Sequence, residues 1–124
     1  METKDLGKTS TGIAANIAGL LCYVLGWISG LIFFLIEKEN KFVRFHALQS
    51  MIAFGALFIL NIAIGMFIRI FAEIGAGFLY PLLSLVNVLV ALAAFILWIL
   101  LMIKAYQGEK FKLPIIGDIA EKNA

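Results

Sequence analysis

Charge is missing from most of this chain. No Asp, Glu, Lys or Arg occurs from 9 to 36, from 45 to 68 or from 74 to 103. The sequence holds one histidine, His46, one cysteine, Cys22, and two prolines. Each scarcity excludes something. A single cysteine forms no intrachain disulfide, and His46 without a second His or a usable Cys gives no zinc ligand set. The uncharged runs lack the intramembrane acid or base that usually marks proton or ion transport. There is no Gly-rich phosphate loop, no paired carboxylates and no nucleophile with a base. No enzyme is therefore expected, with no catalytic residue, no metal ligand and no cofactor. A net charge of +2 is too small to point to nucleic acid.

What remains is apolar. Hydrophobic residues make up 63% and charged residues 15%, well away from the averages of soluble domains. A helix needs roughly 20 apolar residues to cross a bilayer, so each uncharged run holds one span. The reading is all-α: a single domain over 1–124, an integral membrane bundle of three transmembrane helices at 13–36, 47–68 and 82–103. Short amphipathic interfacial segments are expected at 41–50 and 105–120. None of the runs has a polar outer face, which argues against a water-soluble bundle. The first run is too long for a signal-peptide core, so it is expected to stay as an anchor.

Each span carries one small and polar stripe. In the first, Gly12, Gly19 and Gly26 are spaced by seven, as are Asn16, Tyr23 and Gly30. Read on one continuous helix, both sets share a face, and Gly26 with Gly30 makes a GxxxG match. That face is expected to pack against protein. On the second span His46, Gln49 and Ser50 share a face at i, i+3 and i+4, continued by Ala53, Leu57 and Asn61. On the third, Ser84, Asn87, Ala91, Ala94 and Trp98 do the same, after a helix start at Pro81 and before a stop at Gly108. Asn16, Asn61 and Asn87 are then the polar members of three inward stripes.

The joint between the first two runs, Lys41-Phe-Val-Arg-Phe-His-Ala-Leu-Gln-Ser50, mixes cations with aromatics. Phe42 and Phe45 are placed in the headgroup layer, with Lys41 and Arg44 reaching lipid phosphates. Residues 1–11 read as polar and loose. His46 and Gln49 are expected to tie the start of the second helix to the tail around Leu113 to Gly117, which lies at the same membrane surface. With three spans, Lys38, Lys41, Arg44, Lys104, Lys110, Lys112 and Lys122 fall on one side and Lys4, Lys8 and Arg69 on the other. The positive-inside rule then puts the protein in the cell membrane with its C-terminus in the cytoplasm and its N-terminus outside.

Residues 36–50, with Arg44-Phe-His-Ala-Leu-Gln49 at their centre, resemble the signature of a family of small prokaryotic membrane proteins grouped with the Tic-twenty family of chloroplast inner-envelope import components. Gly19-Leu-Leu-Cys-Tyr-Val-Leu-Gly-Trp-Ile-Ser-Gly30, Ala105-Tyr-Gln-Gly108 and Leu113-Pro-Ile-Ile-Gly117 fit the same resemblance. It implies an integral membrane protein and a role in protein translocation. Two functions remain open. One is a binding or assembly module whose partners are the lipid bilayer and either a second copy or another membrane protein. The other is a component of a translocation or other membrane conduit. A conduit has the asparagine stripe lining water; an assembly module has it buried.

Overall fold

Gly26 decides the architecture. In the structure, a computed structural model that describes residues 6–124, this glycine has φ +65° and separates α1 (Ala15–Val24) from α2 (Trp27–Ile36). A positive φ is open to glycine and strained for other residues. The two ten-residue helices are each about 15 Å long at 1.5 Å per residue, too short to cross a bilayer alone. They fold back as a hairpin: the Ser10 N–H donates to Glu37 Oε2 at 2.8 Å, so the chain returns to its starting level.

A broken helix leaves carbonyls without their i+4 partners, and these need other donors where water is absent. Side chains from three positions brace the break, at the Cys22 and Tyr23 carbonyls, which lack an i+4 donor, and at Gly26 O, which also keeps its bond from Gly30 N–H. Ser29 Oγ donates to Cys22 O at 2.9 Å, Ser50 Oγ to Gly26 O at 2.8 Å, and the Trp98 indole N–H to Tyr23 O. The expected continuous span at 13–36 is thus replaced by a hydrogen-bonded turn inside the protein.

Two long helices follow: α3 (Lys41–Glu73) and, after a 3-10 turn at Gly77–Leu79, α4 (Tyr80–Tyr106). Both are long and apolar enough to cross a membrane. The joint is the first part of α3, where Asn40 caps the helix by accepting from Val43 N–H at 3.0 Å. Pro81 sits in the first turn of α4, and Gly108 (φ +79°) follows its end. The tail then crosses back under α3 and closes with α5 (Ile116–Asn123), burying Gly117 and Ala120. All regular elements among the described residues are helical.

Packing is uneven along this frame. The core residues Ala15, Ala18, Cys22, Phe42, Val43 and Ala47, and a second group of Tyr23, Leu101 and Ala105, all lie where the α1–α2 hairpin covers the start of α3 and the end of α4. Beyond the Trp27–Phe58 ring contact, α3 and α4 continue as a bare pair with Phe58, Ile59, Ile62, Leu89 and Leu92 exposed. We call these the packed end and the open end.

The N-terminal segment is held at the packed end. Asn40 Nδ2 donates to Leu6 O and Lys8 O, and Ser10 Oγ accepts from Lys38 N–H. Residues 6–11 are therefore not loose, while 1–5, with Lys4, lie outside the described residues. The expectation that the N-terminal segment and the 37–46 loop lie on opposite sides fails, because that count assumed a third span. Glu37 is the hub of this strap. Its Oε2 accepts from the N–H groups of Ser10, Glu39 and Asn40, while its buried Oε1 has no partner among the described residues. Burial pushes this carboxyl up, but the hydrogen bonds outweigh it and hold the group below its ordinary value of 4.5.

A folded value below the unfolded one makes the strap's contribution complete above that ordinary value. The contribution is lost as pH falls through the lowered folded value. Backbone amide exchange at Ser10 and Asn40 is expected to accelerate in that acid range, and to be fast at every pH in Glu37→Ala. Equal protection in both proteins would mean that Glu37 does not hold the strap.

Candidate functional site

The packed end encloses a buried polar cluster formed by Tyr23 from α1 with His46 and Gln49 from α3, all at 0% exposure. Helical spacing puts His46 and Gln49 on one face of α3, and the α1–α2 break brings Tyr23 to their level. His46 Nε2 lies 3.0 Å from Glu109 O, an acceptor, so Nε2 carries the proton. Nδ1 then accepts from the Tyr23 hydroxyl at 2.7 Å. That hydroxyl accepts in turn from Gln49 Nε2 at 3.1 Å. Gln49 also donates to Phe111 O at 2.8 Å and accepts from Leu113 N–H at 2.9 Å. The chain of bonds runs from the tail through Gln49, Tyr23 and His46 back to the tail. Both ring nitrogens of His46 and both amide atoms of Gln49 are engaged.

Phe42 and Phe45 do not reach a headgroup layer. They are 5% and 0% exposed and set their rings edge-on to His46, with centroids 4.6 and 5.0 Å away. The hairpin and tail cover them, and sequence composition carries no sign of that cover. Arg44 is likewise turned inward. Its Nη1 donates to Glu37 O (2.7 Å) and Phe34 O (3.3 Å), its Nε to Ala124 O (2.9 Å), and its guanidinium lies over the Phe34 ring. It ties the end of α2 and the tail to α3, rather than reaching a phosphate.

The asparagines do not make one stripe. Asn16 Nδ2 donates to Tyr106 O at the packed end, whereas Asn61 Nδ2 donates to Asn87 Oδ1 at 2.8 Å between α3 and α4 in the open half. The glycines divide as well. A Cβ on Gly19 would meet Phe42 at 3.0 Å and His46 at 3.4 Å, and one on Gly30 would meet Ala47 O at 2.8 Å. Both are close-approach positions. Gly26 serves the turn, and Gly12 has nothing within 4 Å and is set apart by its φ of +79°. The seven-residue spacing was read on a continuous helix, which the turn at Gly26 removes.

Sequence reasoning missed Glu37 as a hub, Asn40 as a clamp, and Ser29, Ser50 and Trp98 as donors to the break. A glycine followed by a serine three residues later was the one local signal. Among the described residues no three His, Cys, Asp or Glu side chains converge on a common point.

Comparison with known proteins agrees with a membrane setting. The magnetosome magnetite crystal formation protein family is matched over residues 8–120. A UPF0132 membrane protein of Methanocaldococcus jannaschii is 56% identical over 117 residues, covering 94% of each chain. Another from that organism is 45% identical over 112 residues, covering 90% of this chain and 71% of its own. One of Archaeoglobus fulgidus is 45% identical over 107 residues, covering 86% and 92%. No solved structure matches. The Tic-twenty resemblance is overturned: the chain matches this family and these archaeal membrane proteins instead.

Proposed function

Because this chain belongs to the magnetosome magnetite crystal formation protein family and its relatives are membrane proteins, we propose that it is an assembly module that docks to another membrane-embedded chain. One contrast carries the reading. The polar groups of the Tyr23–His46–Gln49 cluster are spent on bonds inside the chain, while the open half of α3 and α4 exposes a broad apolar surface. A module of this kind acts by holding neighbours in place. In crystal formation at a membrane it would position other proteins rather than seat iron, since no His, Cys, Asp or Glu group gathers among the described residues. A membrane conduit is the alternative that this reading displaces. It needs a continuous polar path, and the separation of Asn16 from the Asn61–Asn87 pair weighs against it.

The packed end is placed in the cytoplasm of the cell. Lys8, Lys38, Lys41, Arg44, Lys104, Lys110, Lys112 and Lys122 lie toward that end and Arg69 toward the other, the asymmetry the positive-inside rule uses. In a Cys22→Ser background, an impermeant thiol reagent on intact cells is expected to label Ala76→Cys, but not Lys8→Cys, Glu39→Cys or Lys122→Cys. The reverse pattern would invert the placement. Photo-crosslinkers at Ile62 and Leu89, with the mass of the protein extracted in native lipid particles, test the module itself. A single chain without crosslinks would sink it, and reaction of cysteines at 61 and 87 with a soluble thiol reagent would favour the conduit.

A further inference from the structure

The geometry points to a second copy of this chain as the partner, docked across the Asn61–Asn87 pair about a two-fold axis along the membrane normal. The inference rests on the assembly reading and gives it an occupant. The single bond between the two amides leaves Asn61 Oδ1 without a donor and Asn87 Nδ2 without an acceptor among the described residues. Asn61 is exposed and Asn87 half-buried, on the bare stretch of the hairpin. Lipid chains satisfy neither group, and an unmade amide bond in hydrocarbon is costly.

The two leftovers are one acceptor and one donor, which makes the site complementary to itself. A two-fold axis along the normal brings both copies to the same depth and sets Asn87 Nδ2 of each against Asn61 Oδ1 of the other. The contact is isologous and closes at two chains. Small residues flank the pair one turn away on each helix. Gly65 follows Asn61 with nothing within 4 Å of an added Cβ, and the exposed Ala91 follows Asn87. Such positions let helix backbones approach, the condition under which interhelical amide bonds form in membranes. An unrelated partner would need a matching donor and acceptor at this depth; a second copy has them by construction.

The test counts chains in native lipid particles by mass, for the full chain and for Asn61→Leu and Asn87→Leu, with crosslinking through Gly65→Cys in a Cys22→Ser background. Two chains are expected, crosslinked to each other through position 65. The dimer should weaken about tenfold in either variant, on the scale of one or two interhelical amide bonds. Protease protection of the tail after Tyr106 reports that the variants remain folded. Where it is lost, Asn61→Ser, which keeps a donor and an acceptor, replaces Asn61→Leu and should retain most of the dimer. A dimer indifferent to Asn61 and Asn87, or a crosslink at 65 to a different protein, overturns this inference and leaves the assembly reading standing. A lone chain overturns both.

Discussion

In a detergent that keeps the chain monomeric, Gly30→Ala is expected to melt well below the wild type, while Gly65→Ala melts at or slightly above it. The two substitutions add the same methyl group to a helix. At Gly30 that methyl arrives 2.8 Å from Ala47 O, 3.0 Å from Ser50 Cβ and 3.1 Å from Met51 N. Two of these atoms are backbone, so the clash cannot be relieved by turning a side chain. Either α2 lifts from α3 or the α3 backbone distorts. Lifting also strains the Ser50 bond to Gly26 O that supports the break. Overpacking of this kind costs about 1–3 kcal/mol, and Gly30→Leu should prevent the hairpin from docking at all. At Gly65 the added methyl meets nothing, and replacing an interior helical glycine by alanine gains up to about 1 kcal/mol. Equal melting of the two variants would mean that α2 does not press on α3 as described.

Gln49→Ala is the second large effect. The side chain makes three bonds from a position with no exposure, to Tyr23 Oη, Phe111 O and Leu113 N. Each polar group stranded in a buried place costs about 1–3 kcal/mol. The tail has an escape, because undocking returns Phe111 and Leu113 to water. The loss is therefore expected as detachment of the tail more than as unfolding of the bundle. Limited proteolysis should cut after Tyr106 at a rate at least tenfold above wild type, with the α3–α4 pair intact. His46→Ala removes the Glu109 anchor and should show a smaller version of the same release. Because the two side chains are linked through one tyrosine hydroxyl, the double variant should cost less than the sum. An unchanged tail in both single variants would leave this cluster without its structural role.

Much of the frame could be read from residue order. Uncharged runs and the 3.6-residue period locate α3 and α4, and Pro81 and Gly108 mark the ends of α4. The shared face of His46 and Gln49 follows from their spacing. The break at Gly26 could not be read this way, because glycines seven apart look alike in one helix or two. What stabilises the break comes from far along the chain, from Ser50 and Trp98, and no local window contains them. The misplaced roles of Phe42, Phe45 and Arg44 follow from that one miss. A cationic and aromatic segment reads as a membrane surface until a hairpin and a tail are known to cover it. The asparagine stripe failed similarly: the period on each helix was right, but the fold-back put Asn16 at another level from Asn61.

The hairpin's short reach also gives the molecule a taper. Four helices stand side by side at one end and two at the other. With α3 and α4 across the bilayer, the chain displaces more area from one leaflet than from its opposite. A row of such wedges, all pointing the same way, relieves packing stress in a bent sheet and adds stress to a flat one. The protein would therefore gather where the membrane curves toward its narrow end.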